Sequence, residues 1–397
     1  MIRGLFLSHS GLIGEQQQDI SSRVLMTGPG GTAPLLALTA GMPTEKTNQT
    51  NWSWIEDSHI AGSQVVTTGG NAAATSLIVN SLGIWVANTV IINQDTGEHM
   101  LITAVTEATN TITVIRGIAG TTAATVSTNH VLQSIGTAHA EASAKPDAVA
   151  QQGEMLTNYV QIFKNAWAIS GTARAVGFIT GDKMAKNKND CFYYHAEDIE
   201  RAFWFGRSGI MVVGGKQLRL TNGVIAQIEG YGGLVTSANT GSSAGDLSFI
   251  DFLDFMRQIF DVKVKGMPNE RIAYTSSYVM LQIHKMILQD STYQISGGMT
   301  RYGFAVYDIV GLNGSLKMIV HPLMSESAKW RHEIYVIHPG LITKKVLRTT
   351  WSREYGGDSD GGVDAVEGYI GDELGLEVKG ARAMGIYRNI QDGVASF

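Results

Sequence analysis

A single cysteine, Cys191, occurs in 397 residues, and prolines number only seven. One thiol excludes an intramolecular disulfide framework and any zinc site built from clustered cysteines, and it favours synthesis in a reducing cytosol. No run reaches the 18 or more apolar residues of a membrane-spanning helix. The opening MIRGLFLSHSG also lacks the sustained apolar region and small-residue cleavage site of a secretory leader. A soluble, unexported chain with no membrane partner is therefore expected. Charge is sparse as well: 30 basic against 35 acidic side chains leave a net −5. That balance argues against a chain whose main task is to neutralise phosphates, although a local basic face stays possible.

What is present is an ordinary globular composition, 44% hydrophobic, with 46 glycines that suit many turns between strands. The length allows two or more packed units. Residues 1–50 are polar, glycine-spaced and without a sustained period, which reads as an extended arm with a short helix around Pro34 to Ala40. Between about 76 and 135 the character changes to short β-branched runs, SLIVNS, IWVANTVIIN, HMLITAVTE, TITVIRGI and HVLQSIG, separated by turn residues. This predicts a compact β insertion between links at 67–75 and 136–144. After Lys145, NYVQIFKNAWAISGTARAV reads as a strand. Met184, Cys191, His195, Ile199, Ala202 and Phe203 then fall at helical spacing, predicting a helix over 182–205 with Asp182 at its start and Gly206 at its stop. LSFIDFLDFMRQIFD and SYVMLQIHKMILQ read as two further amphipathic helices, followed by strand-like segments to the C-terminus. The total is α+β.

Each chemical motif competes with a plainer reading. Gly28, Gly30 and Ala33 fit the G-x-G-x-x-[GA] dinucleotide loop, but Gly41 and Pro43 end the following helix after about two turns, and a turn in an arm is favoured. Ser359 sits in G-D-S-D-G, the nucleophile-elbow pattern, yet no histidine follows it in the chain. His332-Glu333 lacks the second histidine of a zincin, and His139-Ala140-Glu141 lacks the paired cysteines of a zinc deaminase. Cys191 and His195 could pair as thiol and base one helical turn apart, but they share the apolar stripe and core packing is their commoner fate. Lys183, Lys186 and Lys188 have no aromatics interleaved on their face and read as a solvated helix start. The residues thus nominate no catalytic, cofactor-binding or metal-binding group. A dinucleotide-binding enzyme using Gly28 to Ala33, and a β-rich tail or adhesin component, remain as alternatives.

The order of segments resembles the major capsid (major head) proteins of tailed bacteriophages, which share the Hong Kong 97-type fold. The resemblance rests on the arm RVLMTGPGGTAPLLALTAGMPTEKTNQTNWSWIEDS, on QIFKNAWAISGTARA, and on a spine-like helix ending HAEDIERAFWFGR. It continues through TNGVIAQI, LSFIDFLDFMRQIF, RIAYTSSYVMLQI and the C-terminal series from VLRTTWSREYGG to MGIYRNI. It implies an N-terminal arm at 1–45, an E-loop region at 46–144 carrying the β insertion, and a P-domain at 145–224 with the spine helix. An A-domain at 225–344 and C-terminal P-domain strands at 345–397 complete the division. It further implies a structural, non-enzymatic protein that forms hexameric and pentameric capsomers around double-stranded DNA. Scaffolding, portal and decoration proteins would be its partners, the host bacterial cytoplasm its place of synthesis and the virion its location. Arg116-Gly117-Ile118-Ala119-Gly120-Thr121-Thr122 is similar to small β modules inserted in phage structural proteins. The mild negative charge suits a wall that does not trap its genome. Some shells of this fold are locked by an isopeptide bond from an E-loop lysine, but no lysine lies between Lys46 and Lys145. A non-covalent shell is expected.

Overall fold

The computed structural model describes residues 42–57, 62–146, 148–149, 153–176, 182–238, 247–264, 266–289, 296–301, 304–311, 314–355 and 364–391. The chain divides into two compact units, Ile55–Leu156 and the remainder, Met1–Trp54 with Thr157–Phe397. β2 (Asn51–Glu56) and β9 (Glu154–Tyr159) form a two-stranded sheet at the ends of this division.

The smaller unit is a closed antiparallel barrel. Its strands are β3 (Ser63–Thr68), β4 (Ser76–Val79), β5 (Thr89–Asn93), β6 (His99–Thr106), β7 (Thr111–Ile115) and β8 (Val131–Thr137), in the order β3-β4-β7-β6-β5-β8. Strict alternation supplies the interior: Val66, Leu77, Ile91, Met100, Ile102, Ile112, Val114 and Leu132 point inward, with Trp85 and Val126 added from the loops. The barrel begins earlier than the β-branched runs suggested. β3 closes the cylinder by pairing with both β4 and β8, yet it places a single aliphatic side chain, Val66, in the core. Its neighbours Gly69 and Gly70 look like linker but are structural, since a Cβ on Gly69 would lie 1.9 Å from the Val126 carbonyl oxygen.

The larger unit holds two sheets. In the first, β1 (Thr44–Lys46), β19 (Ile342–Tyr355), β20 (Ala365–Val378) and β10 (Gln161–Ser170) lie in that order, β1 parallel to β19 and the rest antiparallel. The stretch expected as one strand from Asn158 is divided: β9 ends at Tyr159, β10 follows, and Ser170 caps α1 (Gly171–Ala175) by accepting from the Ala173 amide at 3.2 Å. α2 (Lys183–Phe205) packs on this sheet through Cys191 against Trp167 and Ile370, and through Phe203 edge-on to Phe163. Asp182 caps it, Oδ1 accepting from the Met184 amide at 2.8 Å. The helix stops at Gly206, where a Cβ would meet the Ala202 carbonyl oxygen at 2.4 Å and that of Thr221 at 2.8 Å.

The second sheet has seven strands in the order β13 (Leu234–Ser237), β21 (Gly385–Arg388), β18 (Ile334–Ile337), β14 (Glu270–Thr275), β17 (Gly314–Val320), β16 (Phe304–Gly311) and β15 (Ser296–Arg301). α4 (Phe249–Asp261) and α5 (Ser277–Gln289) cover it through Phe252, Phe255, Ile259, Val279 and Ile283. α3 (Val224–Gly230) and α6 (Pro322–Glu326) contribute Val224, Ile228 and Met324 to the core that holds α2. Residues 345–397 supply both sheets, because β21 inserts between β13 and β18. A separate hairpin, β11 (Gly209–Val213) with β12 (Lys216–Leu220), completes the described elements. The result is α+β.

Candidate assembly surfaces and the polar networks behind them

The residues singled out for chemistry are mostly occupied by structural work. Cys191 is buried, and desolvation pushes its thiol up, away from the reactive thiolate. Neither ring nitrogen of His195 turns to it. Nδ1 lies 2.7 Å from Asn165 Oδ1, and Nε2 lies 2.9 Å from Asp372 Oδ2. Asn165 donates its amide to Asp198 at 2.7 Å, which fixes the amide orientation, and Asp372 accepts from the Thr350 hydroxyl at 2.7 Å. The ring therefore ties α2 to β10 and β20. His332 and Glu333 also face away from metal chemistry: the His332 ring meets the Ile390 carbonyl at 2.6 Å, and Glu333 accepts from the Tyr335 hydroxyl at 2.5 Å. Burial and that carboxylate push the Tyr335 hydroxyl far above its ordinary pKa. His139 and Glu141 are exposed. Among the described residues no group of three or more His, Cys, Asp or Glu side chains could hold a metal ion. Lys186 pairs with Asp190 at 3.2 Å, and Lys188 with Glu354 at 3.3 Å. The Gly28–Ala33 loop, the Pro34–Ala40 helix and the Ser359 motif lie outside the described residues.

Three buried polar networks were invisible in the sequence. In the barrel, Glu98 is shut from solvent and receives Arg116 Nε at 2.7 Å, Arg116 Nη2 at 2.6 Å, and the amides of Gly117 and Ala124 at 3.1 Å each. Arg116 spends its remaining donors on the carbonyls of Asn71, Ala74 and Ala124. One side chain thus pins three loops. Burial alone would raise the Glu98 carboxyl, but the hydrogen bonds from Arg116, Ala124 and Gly117 together outweigh it and hold the group below the usual carboxylate range. In the larger unit Trp204 Nε1 donates to Glu200 at 3.1 Å, and the His321 ring lies 3.3 Å from the same oxygen, all three fully buried. Asn158 is equally enclosed. It donates to the Leu376 carbonyl at 2.6 Å and accepts from the Asn222 amide at 2.8 Å, joining β9, the turn before α3, and β20.

The surface carries apolar groups that the chain leaves uncovered. In the β11–β12 hairpin, Ile210, Met211, Val212, Val213 and Leu218 are all exposed, Val212 to 71%. Its turn residues Gly214 and Gly215 both have positive φ, +58° and +74°, which suits the twist of a two-residue hairpin. Because neighbours along a strand point to opposite faces, aliphatic groups at 210–213 make both faces of this ribbon apolar. A two-stranded ribbon cannot bury either of them itself. In the smaller unit, Ile55 and Met155 are likewise exposed, to 72% and 66%. The signal that could have found this hairpin is local: Gly214-Gly215 stands between the strand-like runs IMVV and KQLRL.

The family model described as SU10 major capsid protein matches residues 8–391. A curated relative, the major capsid protein of Pseudomonas phage PaMx41, is 27% identical over 310 residues, covering 78% of this chain and 73% of that protein. Among solved structures, the capsid of Myoviridae phage XM1 is similar over 98% of this chain and 100% of its own, with 11% identity and a TM-score of 0.47. A Mycobacterium phage Bobi structure is similar over 97% and 99%, with 8% identity and a TM-score of 0.48.

Proposed function

The chain belongs to the SU10 major capsid protein family, and from that premise we propose that its copies assemble as hexamers and pentamers into an icosahedral head enclosing a tailed phage's double-stranded DNA. The observation that carries the assembly reading is the bare β11–β12 hairpin, apolar on both faces, which a lone subunit leaves in water. Obligate interfaces are large and apolar, and such ribbons are their raw material. In this reading the fold is of the Hong Kong 97 type: α2 is the spine helix, residues 1–45 are the arm, and 46–144 are the E-loop region with the barrel as its insertion. Residues 145–224 and 345–397 form the P-domain and 225–344 the A-domain. The protein is structural and catalyses nothing. It is made in the host bacterial cytoplasm and ends in the virion, where scaffolding, portal and decoration proteins would be its partners.

Electron microscopy of the purified full chain tests this. Closed shells or curved hexamer sheets are expected, and a strictly monomeric protein at high concentration overturns it. Val212→Asp places a charge on the hairpin and is expected to abolish particles while changing the unfolding free energy of the unassembled subunit by less than about 0.5 kcal/mol, as surface changes do. Unchanged particle yield would remove the hairpin from the interface. With no lysine between Lys46 and Lys145, particles run without boiling on denaturing gels are expected to give one band of monomer mass. A ladder of covalent multimers would contradict a non-covalent shell.

A further inference from the structure

The net charge of −5 conceals an uneven distribution. Residues 55–156 hold eight acidic and two basic side chains, a net −6, so the remainder carries 28 basic and 27 acidic, a net +1. Within that near-neutral remainder, cations gather on one face of the four-stranded sheet. On β10, Phe163, Asn165 and Trp167 turn toward α2, so Lys164 projects to the opposite side. There Lys164, Arg348 and Arg353 line an open groove of about 540 Å³ together with Trp351 and Tyr369, and Lys46 reaches it from the end of edge strand β1. The Arg348 guanidinium lies 4.3 Å from the Trp351 ring centroid, and the Lys164 ammonium lies 5.7 Å from that of Tyr369. Among the described residues, Glu373 is paired with this set, held by Arg348 Nε at 2.6 Å and by Arg219 at 3.0 Å.

We propose that this groove is a binding site for the phosphodiester backbone of nucleic acid. Cations and aromatics are brought together here by the fold, from residues up to 307 positions apart in the chain. Layout favours a phosphodiester over a carboxylate. The cations stand on β1, β19 and β10, spread across the sheet instead of around a point. Neighbouring strands lie about 4.8 Å apart, so the row spans roughly 14 Å. Each strand of duplex DNA presents about four phosphates over that length. The site needs only one subunit, so it stands or falls separately from shell assembly.

The test is fluorescence anisotropy of a labelled 20-base-pair duplex with the full chain, kept dilute enough to stay unassembled, across a salt series. Four cations, one of them shared with Glu373, predict a slope of log K against log salt of about −3. Lys164→Gln with Arg353→Gln is expected to reduce the slope by about 2 and to weaken binding by about tenfold or more. Lys164→Arg with Arg353→Lys, which keeps both charges, is expected to retain slope and affinity. The proposal is overturned if the glutamine pair binds like the parent protein. It is equally overturned if poly-glutamate at matched charge displaces the duplex, since the groove would then accept acidic segments of another polypeptide.

Discussion

Arg116→Met is expected to destabilise the barrel by about 3–5 kcal/mol, the range for removing one partner of a buried ion pair. The loss is large because Glu98 would stay enclosed without its guanidinium, while the carbonyls of Asn71, Ala74 and Ala124 lose their donor at the same time. Trp85, buried in the barrel core, offers a local probe of melting when the seven tryptophans carry a fluorine label and its ¹⁹F resonance is assigned through Trp85→Phe. Acid sharpens the test. The Glu98 carboxyl is held below its unfolded pKa, so its stabilisation is present above the ordinary carboxylate range and is lost as pH falls through the lowered folded value. In the variant, burial without Arg116 favours the protonated form, so acidification relieves strain instead of adding it. The gap between parent and variant should therefore narrow below about pH 4.5. A variant that melts within about 1 kcal/mol of the parent at neutral pH, below the cost of stranding a buried charge, refutes the role given to Arg116.

Trp204→Ala is the second large effect, about 3–5 kcal/mol from lost burial and the cavity left behind. The indole is fully enclosed at the end of α2, with ring centroids of Tyr274 at 5.0 Å, His321 at 5.8 Å and Tyr335 at 6.0 Å. It joins the long helix to β14 and β18 of the seven-stranded sheet and gives Glu200 one of its donors. Trp204→Phe keeps most of the volume but forfeits that hydrogen bond, and about 1–3 kcal/mol is expected. Urea unfolding of unassembled subunits reads both. Because the barrel has its own core, its transition should not move in either variant. Coincident shifts of both transitions would show that the two units unfold as one.

The sequence reading succeeded where a periodic signal was long and local. The helix capped by Asp182 and stopped by Gly206 carries Cys191, His195, Ile199 and Phe203 on one buried stripe, and each of these is enclosed as its spacing required. The β-branched runs likewise gave most barrel strands. The reading failed where structure depends on distant partners. β3 offers one inward aliphatic residue, and its β-branched run from Val65 to Thr68 opens directly onto Gly69-Gly70, so its place in the ring between β4 and β8 is set by those distant partners. Glu98 lies beside a turn, where exposure is the ordinary fate of a glutamate, and its burial follows from Arg116 arriving from β7's end. The cations of the groove, at 46, 164, 348 and 353, form no run in the chain. The match to a capsid family was legible because it rests on the order of many weak segments, which survives when each segment alone is ambiguous.

The pairing of β1 with β19 imposes an order on biosynthesis. Thr44 sits opposite Lys344, 300 residues later, and among the described residues the three-residue β1 takes its sheet neighbour from that strand. At roughly 5–20 residues per second a ribosome needs about 15–60 s to cover that distance. The barrel, by contrast, has all its strands once Thr137 has emerged. A nascent chain therefore carries a finished lobe while its leading strand still waits for a mate, and premature release at any codon before β19 would strand that edge open.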